Sequence, residues 1–395
     1  MVFTKEEFKT KVESIKLQNW YKNPIAFGIA KIDRGQLNSD KILQATYPVV
    51  NWNENFGSAA VFMEALKMTG IDVDTNNNEF ICDISDEFLI NCLEMFRPYI
   101  PEAKGDDHKN VQLVSTLANL PKELGLSASD YKIVFLFEDA NPACVESAYL
   151  KLYALSLAKA ELRKVNLNGA FGLLHNVAWS GNMPIELDWL RANELTLKLT
   201  GKYPTIDMVD KFPRFLAHII PADNTRILDT SKVRFGAQLA AGTTVMPGAS
   251  YINFNAGTLG PVMVEGRISS SAIVGAGSDV GGGASILGVL SGTDGNPISI
   301  GENTLLGANS TTGIPLGDGC IVDGGIAIFA GTKISISDDE IIKIKKVNKD
   351  AKLSNLVRAD NLQGLNGIHF RQDSQSGNYI AMRSTREVKL NSELH

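Results

Sequence analysis

Histidine, cysteine and long apolar runs are scarce in this 395-residue sequence. All five histidines lie outside residues 224–337, and the four cysteines show neither a CxxC pair nor a spacing to histidine, so neither a zinc site nor a disulfide framework is indicated. No apolar run is long enough to cross a membrane, and the first residues predict an amphipathic helix capped by Thr4 and Glu7 rather than a secretory signal. The net charge of −6 offers no footprint for nucleic acid or a membrane surface. We therefore expect a cytoplasmic protein whose partners are small molecules.

Glycine, by contrast, is abundant and unevenly placed, because 22 of the 35 glycines fall between residues 224 and 337. In the same region an aliphatic or aromatic residue recurs at intervals of six positions. The recurring residues are Ile227, Val233, Leu239, Val245 and Tyr251, then Val262, Ile268, Val274, Val280 and Ile286, then Ile300 and Leu306, and finally Leu316, Val322, Ile328 and Ile334.

A period of six fits neither an amphipathic helix nor an alternating strand. It fits a triangular β-helix, in which three hexapeptide units make one coil, aliphatic side chains fill the interior, and glycine occupies corners that other residues avoid. Interruptions of the period at 252–261 and 287–299 predict loops that leave the coil. A flexible glycine-rich linker is the alternative, but a linker would not keep the aliphatic period.

The remaining sequence predicts three further segments. Residues 1–200 combine helical apolar periodicity with the short β-type run YKIVFLFED, which predicts a mixed α/β domain, and they contain no GxGxxG or P-loop motif. Residues 201–226 carry three prolines and form a connector to the left-handed parallel β-helix of 227–337. Residues 338–395 predict a small C-terminal β cap, because a solenoid needs a covered end.

The chemistry of the repeat region points to an amine acceptor. Hexapeptide β-helices are associated with acyl transfer from CoA, which is an analogy of fold, and the members that acylate hydroxyl groups use a coil histidine as base. Without histidine in 224–337, the isolated Glu265 becomes the candidate base, and Arg267 lies two positions away. Two alternatives stay open at this point: another acyl-CoA-dependent N-acetyltransferase, and a non-catalytic β-helix scaffold.

The run NFNAGTLGPVMVEGRISSSAIVGAGSDVGGGASILGVLSG, followed by ISIGENTLLGANS and GIPLGDGCIVDGG, resembles the tetrahydrodipicolinate N-succinyltransferase family in its longer actinobacterial and epsilonproteobacterial form. The resemblance covers the repeats and extends to FRQDSQSG near the C-terminus. It implies transfer of succinyl from succinyl-CoA, a co-substrate, to the amino group of L-2-amino-6-oxopimelate, with no tightly bound cofactor. It also implies a homotrimer whose active sites lie between neighbouring subunits.

The resemblance also implies roles for individual residues. Glu265 is the catalytic glutamate, either as general base or as acceptor of the acyl group in a mixed anhydride. Arg267 is expected to grip a carboxylate of the acyl donor. The remaining positions implied in CoA binding are Gly282, Ser285, Ala308, Asp323, Gly324, Gly331, Lys343, Arg371, Gln372, Asp373 and Ser374.

The metal of some family members is not expected here. Those members hold a divalent ion near the trimer axis through an Asp and a Glu, whereas this sequence has Ser231 at the first place and Gly248 or Ala249 at the second. Without the acidic pair we predict no metal site.

Overall fold

The computed structural model describes residues 2–121, 124–289 and 295–391. The chain forms two compact units, one of Met1–Ala154 with Val165–Phe212 and one of Leu155–Lys164 with Pro213–His395. The boundary after Phe212 lies inside the segment 201–226 expected to be a connector. Within the described ranges, no helix is both long and apolar enough to span a membrane.

The first unit is an α/β structure built around an antiparallel sheet. Its strands are β1 (Ala26–Arg34), β2 (Ile42–Thr46), β3 (Asn51–Trp52), β4 (Glu79–Asp83), β5 (Tyr131–Leu136), β6 (Val177–Ser180), β7 (Met183–Ile185) and β8 (Met208–Asp210). Its helices are α1 (Lys5–Lys16), α2 (Phe56–Met68), α3 (Asp86–Phe96), α4 (Lys109–Ala118), α5 (Val145–Ser156), α6 (Ala170–Leu173) and α7 (Leu187–Leu199). The larger sheet has the order β2-β1-β5-β4 with β3 on β1, and the smaller sheet has the order β7-β6-β8.

Helices α1 and α5 of this unit are stabilised by different local contacts. The predicted cap of α1 is confirmed, because Thr4 Oγ1 accepts from the Glu7 amide at 3.1 Å and Glu7 Oε2 accepts from the Thr4 amide at 3.1 Å. Helix α5 is buried around its whole circumference. Its Lys151 is only 1% exposed, and its ammonium is held by Asp139 Oδ1 at 2.6 Å and by two backbone carbonyls, which offsets the cost of burying the charge.

The second unit contains the predicted β-helix, with three faces of short parallel strands. The first face consists of β9 (Arg226–Ile227), β10 (Thr244–Val245), β13 (Met263–Val264), β16 (Asp279–Val280), β19 (Leu305–Leu306) and β21 (Ile321–Val322). The second face consists of β11 (Tyr251–Ile252), β14 (Arg267–Ile268), β17 (Ser285–Ile286), β20 (Thr311–Thr312) and β22 (Ala327–Ile328). The third face consists of β12 (Gly257–Thr258), β15 (Ile273–Val274) and β18 (Ser299–Ile300).

The interior column follows the predicted period with two corrections. Ile252, not Tyr251, is the fully buried member of β11, because the corner before it contains one residue more than the hexapeptide count allows. Val264, not Val262, stacks between Val245 and Val280. Val262 is also buried but precedes the strand.

The predicted loop at 252–261 is likewise wrong, because these residues supply β12, which pairs with β15 and completes the third face. Aliphatic periodicity missed this strand because its inward residue is Thr258, a buried threonine. Of the predicted loop 287–299, residues 290–294 lie outside the described residues, and Ser299 already belongs to β18.

A C-terminal cap extends the first face beyond the repeats. It contains β23 (Lys333–Ser335), α8 (Asp338–Val347), β24 (Leu356–Arg358), β25 (Ile368–Gln372) and β26 (Tyr379–Arg383). Strand β25 pairs in parallel with β21 and antiparallel with β26, so it covers the open edge of the last coil. The cap is therefore not made of strands alone, since α8 begins at the N-cap Ser337, whose hydroxyl accepts from the Glu340 amide.

Arg163, from the short segment that joins the second unit, binds three successive coils along the third face. Its amide donates to Asn255 Oδ1 at 2.8 Å and its Nε to Ser271 O at 2.5 Å. The two terminal nitrogens donate to Ser299 Oγ at 2.9 Å and to Ile298 O at 2.5 Å. Burial lowers the pKa of this guanidinium below its ordinary value.

Candidate active site

The corner between the first and second faces, called here the first corner, is unusually short at Glu265. In the later coils it spans four residues, 281–284, 307–310 and 323–326, whereas in the Glu265 coil it spans only 265–266. This shortening explains the isolated Glu and Arg two positions apart. Glu265 begins the turn directly after Val264, and Arg267 is already the outward residue of β14.

The glycines of the first corner near Glu265 differ in whether packing requires them. A methyl group on Gly266 would lie 2.3 Å from Ala284 O, and one on Gly281 would lie 2.6 Å from Leu306 O, so both positions exclude a side chain. Among the described residues, a methyl group on Gly282 would meet only Glu265 Oε2, at 3.8 Å, which is an ordinary contact. The chain's own packing does not demand glycine at 282, so the space beside the carboxylate is available to a ligand.

Gly282, Ala308 and Gly324 form a column that rises from Glu265 along the first corner. The carbonyls of Glu265, Gly282 and Ala308 each accept from an amide of the next coil, at 3.2, 2.9 and 2.9 Å respectively. The amides of Gly282, Ala308 and Gly324 themselves donate to no acceptor within the described ranges. The corner thus presents a row of free N–H donors along a strip without bulky side chains, which suits a ligand with successive carbonyl groups.

Arg267 and Ser285 are neighbours on the second face. They are register partners in the pairing of β14 with β17, and their backbones are tied by the bond from the Arg267 amide to Ala284 O at 2.7 Å. The Arg267 side chain is exposed whereas Ser285 is buried. The arginine has no side-chain partner among the described residues and is therefore available to bind an anion, two positions along the chain from Glu265.

Asp323 lies in the same corner, but its carboxylate is already engaged. Its Oδ1 is 2.7 Å from His369 Nε2, and its Oδ2 accepts from Arg371 Nε at 3.0 Å. No sequence pattern marks His369, because it lies outside the repeats. The cap nevertheless places His369 beside the first face, where β25 pairs with β21 and His369 is the register partner of Ile321.

The other predicted residues lie on different elements. Gly331 lies in the turn after β22, on the far side of the second face, and no atom in the described part of the chain lies within 4 Å of a methyl group placed on it. Lys343 lies on α8, where an ion pair of 2.6 Å with Glu340 raises the lysine pKa and lowers the glutamate pKa. Gln372 follows Arg371 on β25 and donates to Gly377 O at 2.9 Å.

Asp373 and Ser374 belong to the turn that joins β25 to β26. Asp373 Oδ2 accepts from the Ser376 hydroxyl at 2.6 Å, and this bond, together with the turn amides, lowers the aspartate pKa. Ser374 is exposed in the same turn. The carboxylate of Asp373 thus stabilises the hairpin, and Ser374 is free to contact a ligand.

The place of the missing acidic pair is occupied by other contacts. Ser231 donates to Asp229 Oδ1 at 2.7 Å, and the Lys232 ammonium donates to Gly248 O at 2.7 Å. A lysine ammonium beside this carbonyl does not favour a divalent cation.

Models of protein families match most of the first unit and part of the β-helix. Residues 6–172 match the N-terminal domain of tetrahydrodipicolinate N-succinyltransferase and residues 174–214 match its middle domain. Residues 297–330 match the hexapeptide repeat of succinyl-transferase.

Relatives with the same description align along the whole chain. A 2,3,4,5-tetrahydropyridine-2,6-dicarboxylate N-succinyltransferase of Sulfurovum sp. is 68% identical over 100% of this chain and 99% of its own. One of Campylobacter jejuni subsp. jejuni is 56% identical over 100% of both chains. A crystal structure from Campylobacter jejuni, described as a 2,3,4,5-tetrahydropyridine-2-carboxylate N-succinyltransferase, superposes with a TM-score of 0.91 at 56% identity, over 98% of this chain and 100% of that one.

Proposed function

Because the chain belongs to the tetrahydrodipicolinate N-succinyltransferase family, we propose that it transfers a succinyl group from succinyl-CoA to the amino group of L-2-amino-6-oxopimelate, the ring-opened form of tetrahydrodipicolinate. This reaction belongs to lysine and diaminopimelate biosynthesis. The chain is an acyltransferase that uses succinyl-CoA as a co-substrate, without a tightly bound cofactor, in the cytoplasm.

Glu265 is the proposed general base. The acceptor nitrogen attacks the thioester carbonyl carbon, and the tetrahedral adduct passes its amine proton to the Glu265 carboxylate. The C–S bond then breaks and the CoA thiolate leaves and takes up a proton, so the amide product and free CoA balance the reaction. Proximity of amine and thioester supplies much of the rate, and proton removal by a positioned carboxylate contributes a factor of about 10²–10⁴. In the alternative role, Glu265 accepts the acyl group first as a mixed anhydride.

The free amides of the first corner are the proposed binding strip for the acyl donor. Pantetheine carries two amide carbonyls, which match a row of N–H donors, and Gly282 leaves room for the arm beside Glu265. The lowest of these donors, the Gly282 amide, is the proposed hydrogen-bond donor to the oxyanion of the adduct. Arg267 then binds the free carboxylate of the succinyl group, which distinguishes succinyl from acetyl donors.

A homotrimer with active sites between neighbouring subunits completes the proposal. Gly331 lies on the far side of the second face from the first corner, and Lys343 lies in the cap, so a groove built between two copies brings more of the predicted residues to one ligand. Light scattering on the eluting protein should give three times the chain mass of 42.8 kDa. A monomeric mass for active enzyme would exclude shared sites.

The observation that carries the proposal is the Glu265 carboxylate on a shortened corner, next to a glycine that packing does not require and below a row of free amides. Replacing Glu265 with Gln should lower kcat at least a hundredfold and leave KM for succinyl-CoA and the circular dichroism spectrum unchanged. Glu302→Gln is the matched control, because Glu302 is an exposed carboxylate at another corner of the β-helix. Equal rates for the two variants would refute the role of Glu265.

A further inference from the structure

Asp323 joins two side chains of the cap, those of His369 and Arg371, to the first corner. The bonds to His369 and Arg371, described above, occupy one carboxylate oxygen each. Both partners lie 46 or more positions away in sequence and reach Asp323 because β25 continues the first face. We call these three side chains the Asp323 clamp.

The clamp fixes the direction of the Arg371 guanidinium. Asp323 accepts from Nε at 3.0 Å, and neither terminal nitrogen has an acceptor within the described residues. The Arg371 side chain is 48% exposed. A guanidinium held by Nε with both outer nitrogens free is prepared for two-pronged binding of a phosphate or carboxylate.

The position of Arg371 in the corner relates it to Glu265. Moving from β13 through β16, β19 and β21 to β25 takes four steps along the first face, and Arg371 follows β25's Phe370 as Glu265 follows Val264. Neighbouring strands are about 4.8 Å apart, so the two residues are roughly 19 Å apart along the corner. That length is comparable to an extended pantetheine arm with its diphosphate.

We propose that Asp323 is a positioning residue that orients Arg371 toward the diphosphate of the acyl donor, at the end of the first corner opposite Glu265, and does not itself contact CoA. A free carboxylate at this place would repel a diphosphate, whereas this carboxylate is covered by two donors. His369 holds the second oxygen and fixes the carboxylate plane. The inference rests on the proposed function, because it takes the acyl donor to be a CoA thioester.

The test compares succinyl-CoA with succinyl-pantetheine, which lacks the diphosphate and the nucleotide. The preference for succinyl-CoA over succinyl-pantetheine is measured as the ratio of their kcat/KM values. This ratio should fall about tenfold in Asp323→Asn and in Arg371→Ala, because KM for succinyl-CoA rises. The preference for succinyl-CoA should fall no further in the double variant than in Arg371→Ala alone, because Asp323 acts through the arginine. Asp323→Glu should restore most of the preference.

Arg358→Ala is the control, since Arg358 forms an exposed ion pair with Asp360 elsewhere in the same unit. An unchanged donor preference in Asp323→Asn would overturn the inference, and so would additive losses in the double variant. Calorimetric titration with CoA alone separates this result from a failure of the proposed function. If the wild type releases thiol from neither donor, the inference still requires Asp323→Asn to weaken CoA binding about tenfold, and equal affinity would overturn it.

Discussion

Arg163 offers a quantitative test of how the β-helix is held together. Replacing it with Ala removes three guanidinium hydrogen bonds to the third face, those to Ser271, Ile298 and Ser299. Counting about 1 kcal/mol for each bond of this half-buried side chain gives a loss of about 3 kcal/mol. Because every 1.4 kcal/mol corresponds to a factor of about ten, protected amides of these coils should exchange about a hundredfold faster.

Hydrogen exchange read by mass spectrometry is the suitable assay, because all four tryptophans lie in the first unit and their fluorescence does not report on the β-helix. The informative amides are those of Ile273 and Gly275, which donate to the next coil on the third face. The exchange rates of these amides in Arg163→Lys should lie between those of wild type and Arg163→Ala, because one ammonium cannot reach all three acceptors. The Arg358→Ala control should exchange these amides at the wild-type rate. The reasoning would be refuted if the Ile273 and Gly275 amides of Arg163→Ala also exchanged at that rate.

Three further predictions follow from packing and burial. Gly282→Ala should keep the melting temperature of wild type yet raise KM for the acyl donor. Gly266→Ala should unfold at a lower temperature, because its new methyl group meets a backbone carbonyl. A lower melting temperature for Gly282→Ala than for Gly266→Ala would contradict the corner geometry. Asp139→Ala should destabilise the first unit by about 3 kcal/mol in urea titration followed by tryptophan fluorescence, because it strips the buried Lys151 of its carboxylate, and Lys151→Met should cost less. Burial raises the pKa of the Cys82 and Cys320 thiols to about 11, that of Cys144 to about 12, and that of Cys92 well above its ordinary value. An aromatic disulfide reagent at pH 8 should therefore label the thiols slowly in native protein and completely in denaturant, and four rapid equivalents in native protein would contradict their burial.

The β-helix could be predicted from the sequence because its core is set by a local rule. The one inward aliphatic residue of each hexapeptide is visible in the sequence as a six-residue period, and positions such as Val280 and Ile328 are fully buried as expected. The period failed where a corner changes length. Val264 replaces Val262 in the column because hydrogen bonds between coils, not residue counts, set the stacking.

Other parts of the site depend on contacts between distant residues, which a single sequence does not display. Arg163 reaches Asn255 across 92 positions, and His369 reaches Asp323 across 46. No local pattern marks either pair, because each depends on where a separate segment joins the β-helix. Helix α8 is a different case: its signal was present in Ser337 and the acidic first turn, and the charge of the segment concealed it.

The central claim is that one chain couples a succinyl donor to an amine through Glu265. The most direct test is thiol release from succinyl-CoA and from acetyl-CoA, each with and without tetrahydrodipicolinate or its stable analogue L-2-aminopimelate, in wild type and Glu265→Gln. We predict release that needs both succinyl-CoA and the amine and that falls at least a hundredfold in the variant. The account would be contradicted by thiol release that does not depend on the amine, that is faster with acetyl-CoA than with succinyl-CoA, or that persists in Glu265→Gln.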